Sequence, residues 1–213
     1  MARTRVGVLA SGRGSNFQAL VDAVKRGEVD VDLAVLVCNV PGARAIDRAQ
    51  AAGVPVAVID HRPFGKDREA WEREAAKVLA EHRVDLIVFA GFMRLVTPFF
   101  ISRFPNRILN IHPSLLPAFP GAHAQRDAVD HGAKVTGLTI HFVDASLDGG
   151  PIVLQKAVPV HDDDSEESLA TRILEWEHRL YPLAVKLFAE GRLRVDGRRV
   201  TVDWSGVDRP PTP

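Results

Sequence analysis

Short apolar runs alternate along this chain with longer stretches whose apolar positions recur at helical spacing. The runs Arg5–Ala10, Leu33–Cys38, Val54–Ile59, Val84–Ala90 and Arg107–Ile111 read as strands. Val84–Ala90 is almost continuously apolar, the pattern of a strand covered on both faces. Between them, Asn16–Arg26 places Phe17, Leu20, Val21 and Val24 on one helical face. Ala43–Ala52 predicts a short helix stopped by Gly53. Asp67–His82 predicts a helix with Trp71, Ala75, Val78 and Leu79 inward, and a further short helix falls around Thr97–Arg103. This rhythm predicts an α/β fold of three layers, doubly wound and Rossmann-related, around a mostly parallel sheet. The pattern then changes. Lys134–Val143 and Ile152–Val160 are long strand-like runs without a helix between them, and they are expected to close one edge of the sheet as an antiparallel pair. Ser165–Glu190 predicts a long helix capped by Ser165 with Glu166 to Ser168 behind it. Arg192–Trp204 reads as a hairpin with its turn at Asp196-Gly197, and Asp208–Pro213 as a proline-rich tail. With no repeat or linker, residues 1–204 are expected to form a single domain and 205–213 a flexible tail.

A chain of 213 residues suits one good-sized domain. Lys+Arg and Asp+Glu are both 27, so no bulk field favours nucleic acid or an anionic membrane, and any anionic ligand must be held by local groups. The single cysteine, Cys38, excludes an intrachain disulfide and sits in an apolar run as a buried strand residue. A disulfide-poor chain fits a reducing compartment, and Val6–Ala10 is too short for a signal segment or a membrane span. The expected location is the cytoplasm.

Three segments carry candidate chemistry. Asn110 and His112 stand two residues apart in an apolar run stopped by Pro113, so on a strand they share a face at its carboxyl end. Ligands of open α/β sheets bind beyond those ends. A carboxamide can donate to a developing oxyanion while an imidazole handles a proton, a pairing suited to acyl-group chemistry. The second segment, Ala10-Ser-Gly-Arg-Gly-Ser-Asn16, lies between the first strand and the first helix. It reads either as a tight turn with Ser15 or Asn16 as helix cap, or as a phosphate loop at a helix N-terminus. It is neither a dinucleotide fingerprint, since Phe17 replaces the third glycine, nor a Walker A loop. In the third, Asp148 precedes Gly149-Gly150-Pro151 in the loop between the two late strands, either to start a turn or to serve the chemistry. His123, His141 and Asp148 lack close metal-ligand spacing, so no metal is expected. Ser114 lies outside any nucleophile elbow and Cys38 is misplaced for one.

Gly14-Ser-Asn16, Ala90-Gly-Phe-Met-Arg94, Asn110-Ile-His-Pro-Ser-Leu-Leu-Pro117, Asp148-Gly-Gly-Pro151 and Glu177-His-Arg-Leu-Tyr-Pro182 together resemble the phosphoribosylglycinamide formyltransferase family of purine biosynthesis. The similarity runs from about Val6 to Arg194. It implies direct transfer of a formyl group from N10 of 10-formyltetrahydrofolate, a co-substrate, to the amine of glycinamide ribonucleotide. By the same resemblance Asn110 stabilises the tetrahedral oxyanion, His112 assists it or relays protons, and Asp148 hydrogen-bonds His112. Gly14, Ser15 and Asn16 would bind the substrate phosphate, and Glu177 its ribose hydroxyls. The Met93 backbone and Pro113 would border the amine. Arg94, Leu95 and Val96 would read the pterin with backbone groups. Phe92, Val143 and Leu147, with the rest of the Phe142–Asp148 loop, would wall the pocket. Arg68 is expected either to face the folate glutamate tail or to be a solvated helix charge.

The chain departs from the family pattern at Gln125, where relatives often have histidine, and at Leu174, where they often have a polar residue near the phosphate. Phosphate binding is therefore expected to rest on the loop, aided by Arg172. Partners are expected to be small molecules only, with no nucleic acid or membrane, for a monomer or homodimer. A formyltetrahydrofolate hydrolase is the rival enzyme. It usually carries a preceding regulatory domain, whereas this chain opens on its first strand. A tRNA formyltransferase needs greater length and a basic surface. A non-catalytic folate- or nucleotide-binding module need not keep Asn110, His112 and Asp148 together.

Overall fold

The computed structural model describes residues 2–210. The chain divides into two compact units, Met1–Asn110 and Ile111–Pro213.

The first unit runs β1 (Thr4–Ala10), α1 (Ser15–Lys25), β2 (Val31–Cys38), α2 (Arg44–Ala51), β3 (Val56–Val58), α3 (Arg68–Glu81), β4 (Leu86–Phe89), α4 (Pro98–Arg103) and into β5 (Ile108–His112), with a 3-10 turn at Arg62–Phe64. All its strand pairs are parallel, in the order β3-β2-β1-β4-β5. The chain winds outward from β1 to β3, then returns to lay β4 on the other side of β1. That reversal makes the carboxyl ends of β1 and β4 the topological switch point. Val6, Val8, Leu9, Leu36, Val37, Ile87 and Val88 are all buried, which explains the unbroken apolar runs. Cys38 is fully buried too, and burial pushes its thiol up, away from reactivity.

Local differences from the sequence reading have simple causes. On α1, Ala23 rather than Val24 completes the buried face. On α3, Glu72 and Ala76 are buried where Val78 is only partly so. β3 is an edge strand of three residues, shorter than Val54–Ile59, and Val58 is 46% exposed. The cap of α1 is neither Ser15 nor Asn16 but Gly14, at φ 67°, so those two residues open the helix itself.

The second unit takes the end of β5, then α5 (Ala124–Asp130), β6 (Val135–Phe142), β7 (Ile152–Pro159), α6 (Glu166–Ala189), β8 (Leu193–Asp196) and β9 (Arg199–Val202). α5 was not expected, because its buried positions, Ala124 and Ala128, are too small to form a visible apolar stripe. β6 and β7 pair antiparallel, as expected. They do not end the array, because β9 pairs with β7 at Ile152↔Arg199 and β8 lies outside β9. In that hairpin Asp196 pairs with Arg199, so the turn residues are Gly197-Arg198, one place further on than predicted. Gly197 takes φ 56°, the left-handed conformation such a two-residue turn demands. Ser165 caps α6 as expected, but its reciprocal partner is the Ser168 hydroxyl rather than a glutamate. Of the expected tail, residues to Pro210 are described, with Arg209 over the Trp204 ring, while 211–213 lie outside the described residues. The predicted class holds: an α/β fold with a mostly parallel sheet, antiparallel edge strands and helices on both faces.

Gly137 on β6 marks a close backbone approach in the second unit. A Cβ there would lie 1.9 Å from the backbone oxygen of Lys156 on β7. Gly137→Ala must push the two strands apart. It is expected to destabilise the protein by about 3 kcal/mol and lower the thermal midpoint by roughly 6–12 °C. Circular dichroism melting checks this, and an unchanged midpoint would contradict the packing.

Candidate active site

In the first unit, two loops meet at the switch point. Ser11, just after β1, donates its N–H to the carbonyl of Gly91, just after β4. Its hydroxyl accepts the N–H of Met93 at 2.8 Å and donates to Oδ1 of the buried Asn39 at 2.7 Å. Asn39 in turn receives, on its carbonyl, the Nδ1–H of His61 at 2.7 Å. The glycine loop is buttressed by α2. Ala45 donates its N–H to Gly12, and Arg48 donates to the carbonyl of Arg13 at 3.0 Å. A Cβ on Gly14 would sit 2.7 Å from that of Ala45, so only glycine permits the approach. Gly14, Ser15 and Asn16 thus open α1.

Residues 91–97 after β4 have no regular structure. Phe92 is buried and stacks on Trp71 at 5.4 Å, while Met93 and Leu95 are 75% and 59% exposed. Arg94 lies over the Trp71 ring. A cavity of about 440 Å³ is lined by Gly65, Lys66, Arg68, Arg94 and Leu95. It gathers Arg68, Arg94 and Leu95, with Lys66, into one cationic hollow. A larger hollow of about 710 Å³, at the amino ends of β1 and β2, contains none of the predicted residues.

β5 carries Asn110 and His112 on one face. In the second unit, His112 is 4% exposed. Its Nε2 lies 2.8 Å from the carbonyl of Phe119, an acceptor only, so Nε2 holds a proton. Its Nδ1 faces Asp148 Oδ2 at 3.5 Å. Asp148 stands at φ 48°, a left-handed conformation that aspartate tolerates, and its Oδ2 accepts the N–H of Gly121 at 2.8 Å. Asp148 lies in a turn as well, and Asp144 opens the loop before it, its Oδ1 accepting both the N–H and the hydroxyl of Ser146.

His141 on β6 is the residue the sequence reading passed over, having weighed it only as a metal ligand. It is 2% exposed, with Nε2 3.9 Å from Asp148 Oδ1 and Nδ1 2.9 Å from the Phe142 carbonyl. A histidine at the end of a largely apolar strand, just before the loop of Asp148, was the available signal. Among the described residues no group of three or more His, Cys, Asp or Glu is placed to hold a metal. Val143 is half-buried and Leu147 is 54% exposed, on the loop that carries Asp148. Pro113 follows His112 directly, and Glu177 is buried on α6. His123 caps α5 and is exposed, and Gln125 is half-buried within that helix. One expectation fails: Arg172 is not available to a phosphate. Both its terminal nitrogens bind Asp164, at 2.6 and 2.8 Å, and one also reaches the carbonyl of Pro159. That guanidinium holds the Asp164 carboxyl well below the usual carboxylate range.

Burial pushes the His141 imidazole below its ordinary value of 6.5, outweighing the Phe142 carbonyl and the Asp148 and Asp144 carboxylates, which pull it up, while His112 adds to the lowering. As pH falls past that value, the unfolded chain binds a proton that the folded chain resists. The stability His141 contributes is therefore full above 6.5 and lost below it. His141→Gln is expected to flatten the fall of the thermal midpoint in acid below this value. An unchanged slope in a pH series of melts would contradict the assignment.

The family of formyl transferases matches residues 4–185. The phosphoribosylglycinamide formyltransferase of Escherichia coli is 40% identical over 208 residues, covering 94% of this chain and 98% of that protein. The trifunctional purine biosynthetic protein adenosine-3 of Drosophila melanogaster is 44% identical over 191 residues, 89% of this chain, which spans only 14% of that longer protein. The crystal structure of glycinamide ribonucleotide transformylase 1 from Symbiobacterium toebii superposes with a TM-score of 0.91 at 48% identity, covering 97% of this chain and 95% of that one. With a matching fold, a buried imidazole against a carboxylate, and a full-length relative at this identity, the chain belongs to the phosphoribosylglycinamide formyltransferase family.

Proposed function

We propose that this chain transfers the formyl group of 10-formyltetrahydrofolate directly to the amine of glycinamide ribonucleotide, with Asn110, His112 and Asp148 as catalytic residues. The observation that carries the reading is the buried His112–Asp148 contact at 3.5 Å, on the strand that presents Asn110 two residues earlier. In the transfer a bond forms between the amine nitrogen and the formyl carbon, and the bond from that carbon to N10 breaks. One proton leaves the amine and one arrives at N10. Asn110 donates its amide hydrogen to the formyl oxygen as negative charge grows there. His112 stands next to Asn110 on the strand and assists that oxygen or relays protons. Asp148, anchored by Gly121, accepts the amine proton and returns it to the leaving nitrogen. No covalent bond to the enzyme is required.

Binding roles follow the resemblance. Gly14, Ser15 and Asn16 receive the phosphate through the N–H groups opening α1, and Glu177 accepts from the ribose hydroxyls. The Met93 backbone and Pro113 border the amine. Arg94, Leu95 and Val96 read the pterin, Phe92, Val143 and Leu147 wall it, and Arg68 faces the glutamate tail. Residues 1–204 act as one catalytic domain, as a monomer or homodimer in the cytoplasm, on small molecules without nucleic acid or membrane. The formal charge of zero supports this last point. Among the described residues no helix is long and apolar enough to cross a membrane.

The test is donor turnover with and without glycinamide ribonucleotide. Formylated ribonucleotide appearing in step with tetrahydrofolate supports the transfer, whereas equal donor breakdown without the acceptor points to a hydrolase. His112→Ala and Asp148→Asn are each expected to lower kcat by roughly 10²–10⁴ in folded protein. Near-normal turnover removes either group from the mechanism. Glu177→Ala is expected to raise the apparent KM for the ribonucleotide about tenfold or more, through loss of hydrogen bonds to a charged acceptor. An unchanged KM contradicts the ribose role.

A further inference from the structure

Glu72 is the buried carboxylate that the mechanism leaves unused. It lies within α3, 1% exposed, among Trp71, Ala75, Ala76 and Leu79. A carboxylate in such surroundings is costly unless hydrogen-bonded, and an apolar residue of similar size would pack there at less cost. Its oxygens are used on one residue. Oε1 accepts the backbone N–H of Thr97 at 2.7 Å, and Oε2 accepts the Thr97 hydroxyl.

Thr97 ends the irregular segment that begins at Gly91. The exposed side chains of Met93 and Leu95 cannot anchor this segment. Contacts at its two ends hold it. Near its start Phe92 stacks on Trp71, the Met93 N–H is bound by the Ser11 hydroxyl, and the Gly91 carbonyl accepts the Ser11 N–H. At its end Thr97 is bound by Glu72. Consecutive residues of α3 therefore hold the segment near its start and at its end. A ligand read by backbone groups gains affinity when those groups are held in place before it arrives.

We propose that Glu72 is a positioning residue for the folate co-substrate. Through Thr97 it holds the Arg94–Val96 backbone in the conformation that receives the heterocycle. This rests on the proposed placement of the folate on residues 94–96. Glu72 touches neither substrate, so its removal acts on one substrate's affinity and spares the other's.

The experiment measures the Kd of 10-formyltetrahydrofolate by equilibrium dialysis, alongside KM for both substrates. Glu72→Ala is expected to raise donor Kd and KM about tenfold or more, with ribonucleotide KM within about twofold. Glu72→Gln keeps an acceptor for the Thr97 N–H and a donor for its hydroxyl oxygen. It is expected to restore donor Kd to within about threefold of wild type. An unchanged donor Kd in Glu72→Ala overturns the proposal, as does a parallel rise of both KM values. If Glu72→Ala does not fold by circular dichroism, Thr97→Val decides. It removes only the hydroxyl, and a donor Kd raised about threefold supports the proposal while an unchanged one overturns it. Wild-type protein that binds the donor without transferring formyl would overturn the proposed reaction, and the Kd comparison would still decide the role of Glu72.

Discussion

The His112 ring is held at both nitrogens, and much of the second unit is arranged to hold it so. Its Nε2–H reaches the Phe119 carbonyl only because residues 113–121 fold back toward the end of β5. One hydroxyl makes three of the bonds that fasten this fold-back. Thr139 on β6 donates to the Ser114 carbonyl and accepts from the Leu116 N–H and the Gln155 amide. One donor and two lone pairs are thereby all used, in a position with no solvent exposure. Two residues further along the same face, His141 approaches Asp148. The strand that fastens the His112 loop thus also carries the second imidazole beside the carboxylate.

The first unit solves a different problem, which is to place two loops from separate strands. β1 and β4 are neighbours in space although far apart in sequence, so the loops after them emerge side by side. Ser11 ties one to the other through a backbone N–H. Gly14 lets the first loop lie against α2, and the consecutive Trp71 and Glu72 of α3 hold the second. Helices that look like packing layers therefore serve as the mounts of both candidate binding loops.

Much of this was legible beforehand. The unbroken apolar runs gave the parallel strands, since a strand covered on both faces has no polar side to display. The Asn110-x-His112 spacing gave a shared face without any tertiary information, because alternation is a local property of strands. Helix caps read less well. Gly14 caps α1 where a serine or asparagine was expected, because the close approach of Ala45 left no room for a Cβ. α5 escaped notice because alanines bury little area and leave a weak pattern. Arg172 shows the limit for charges. Its position fitted a phosphate ligand, but Asp164, eight residues earlier, had already claimed both of its terminal nitrogens.

The sequence by itself determined the α/β class, the strands that carry Asn110 and His112, the loop that carries Asp148, and the family. These rest on local periodicity and short motifs, where each residue's neighbours in sequence are its neighbours in space. Only the tertiary structure decided that Asp148 meets His112 and His141. Only it decided that Ser11 joins two loops, and that a glutamate on a helix face turns inward to hold Thr97. Apart from His141 with Asp148, those contacts join residues tens of positions apart, at distances that strand order and packing set. No spacing along the chain encodes them.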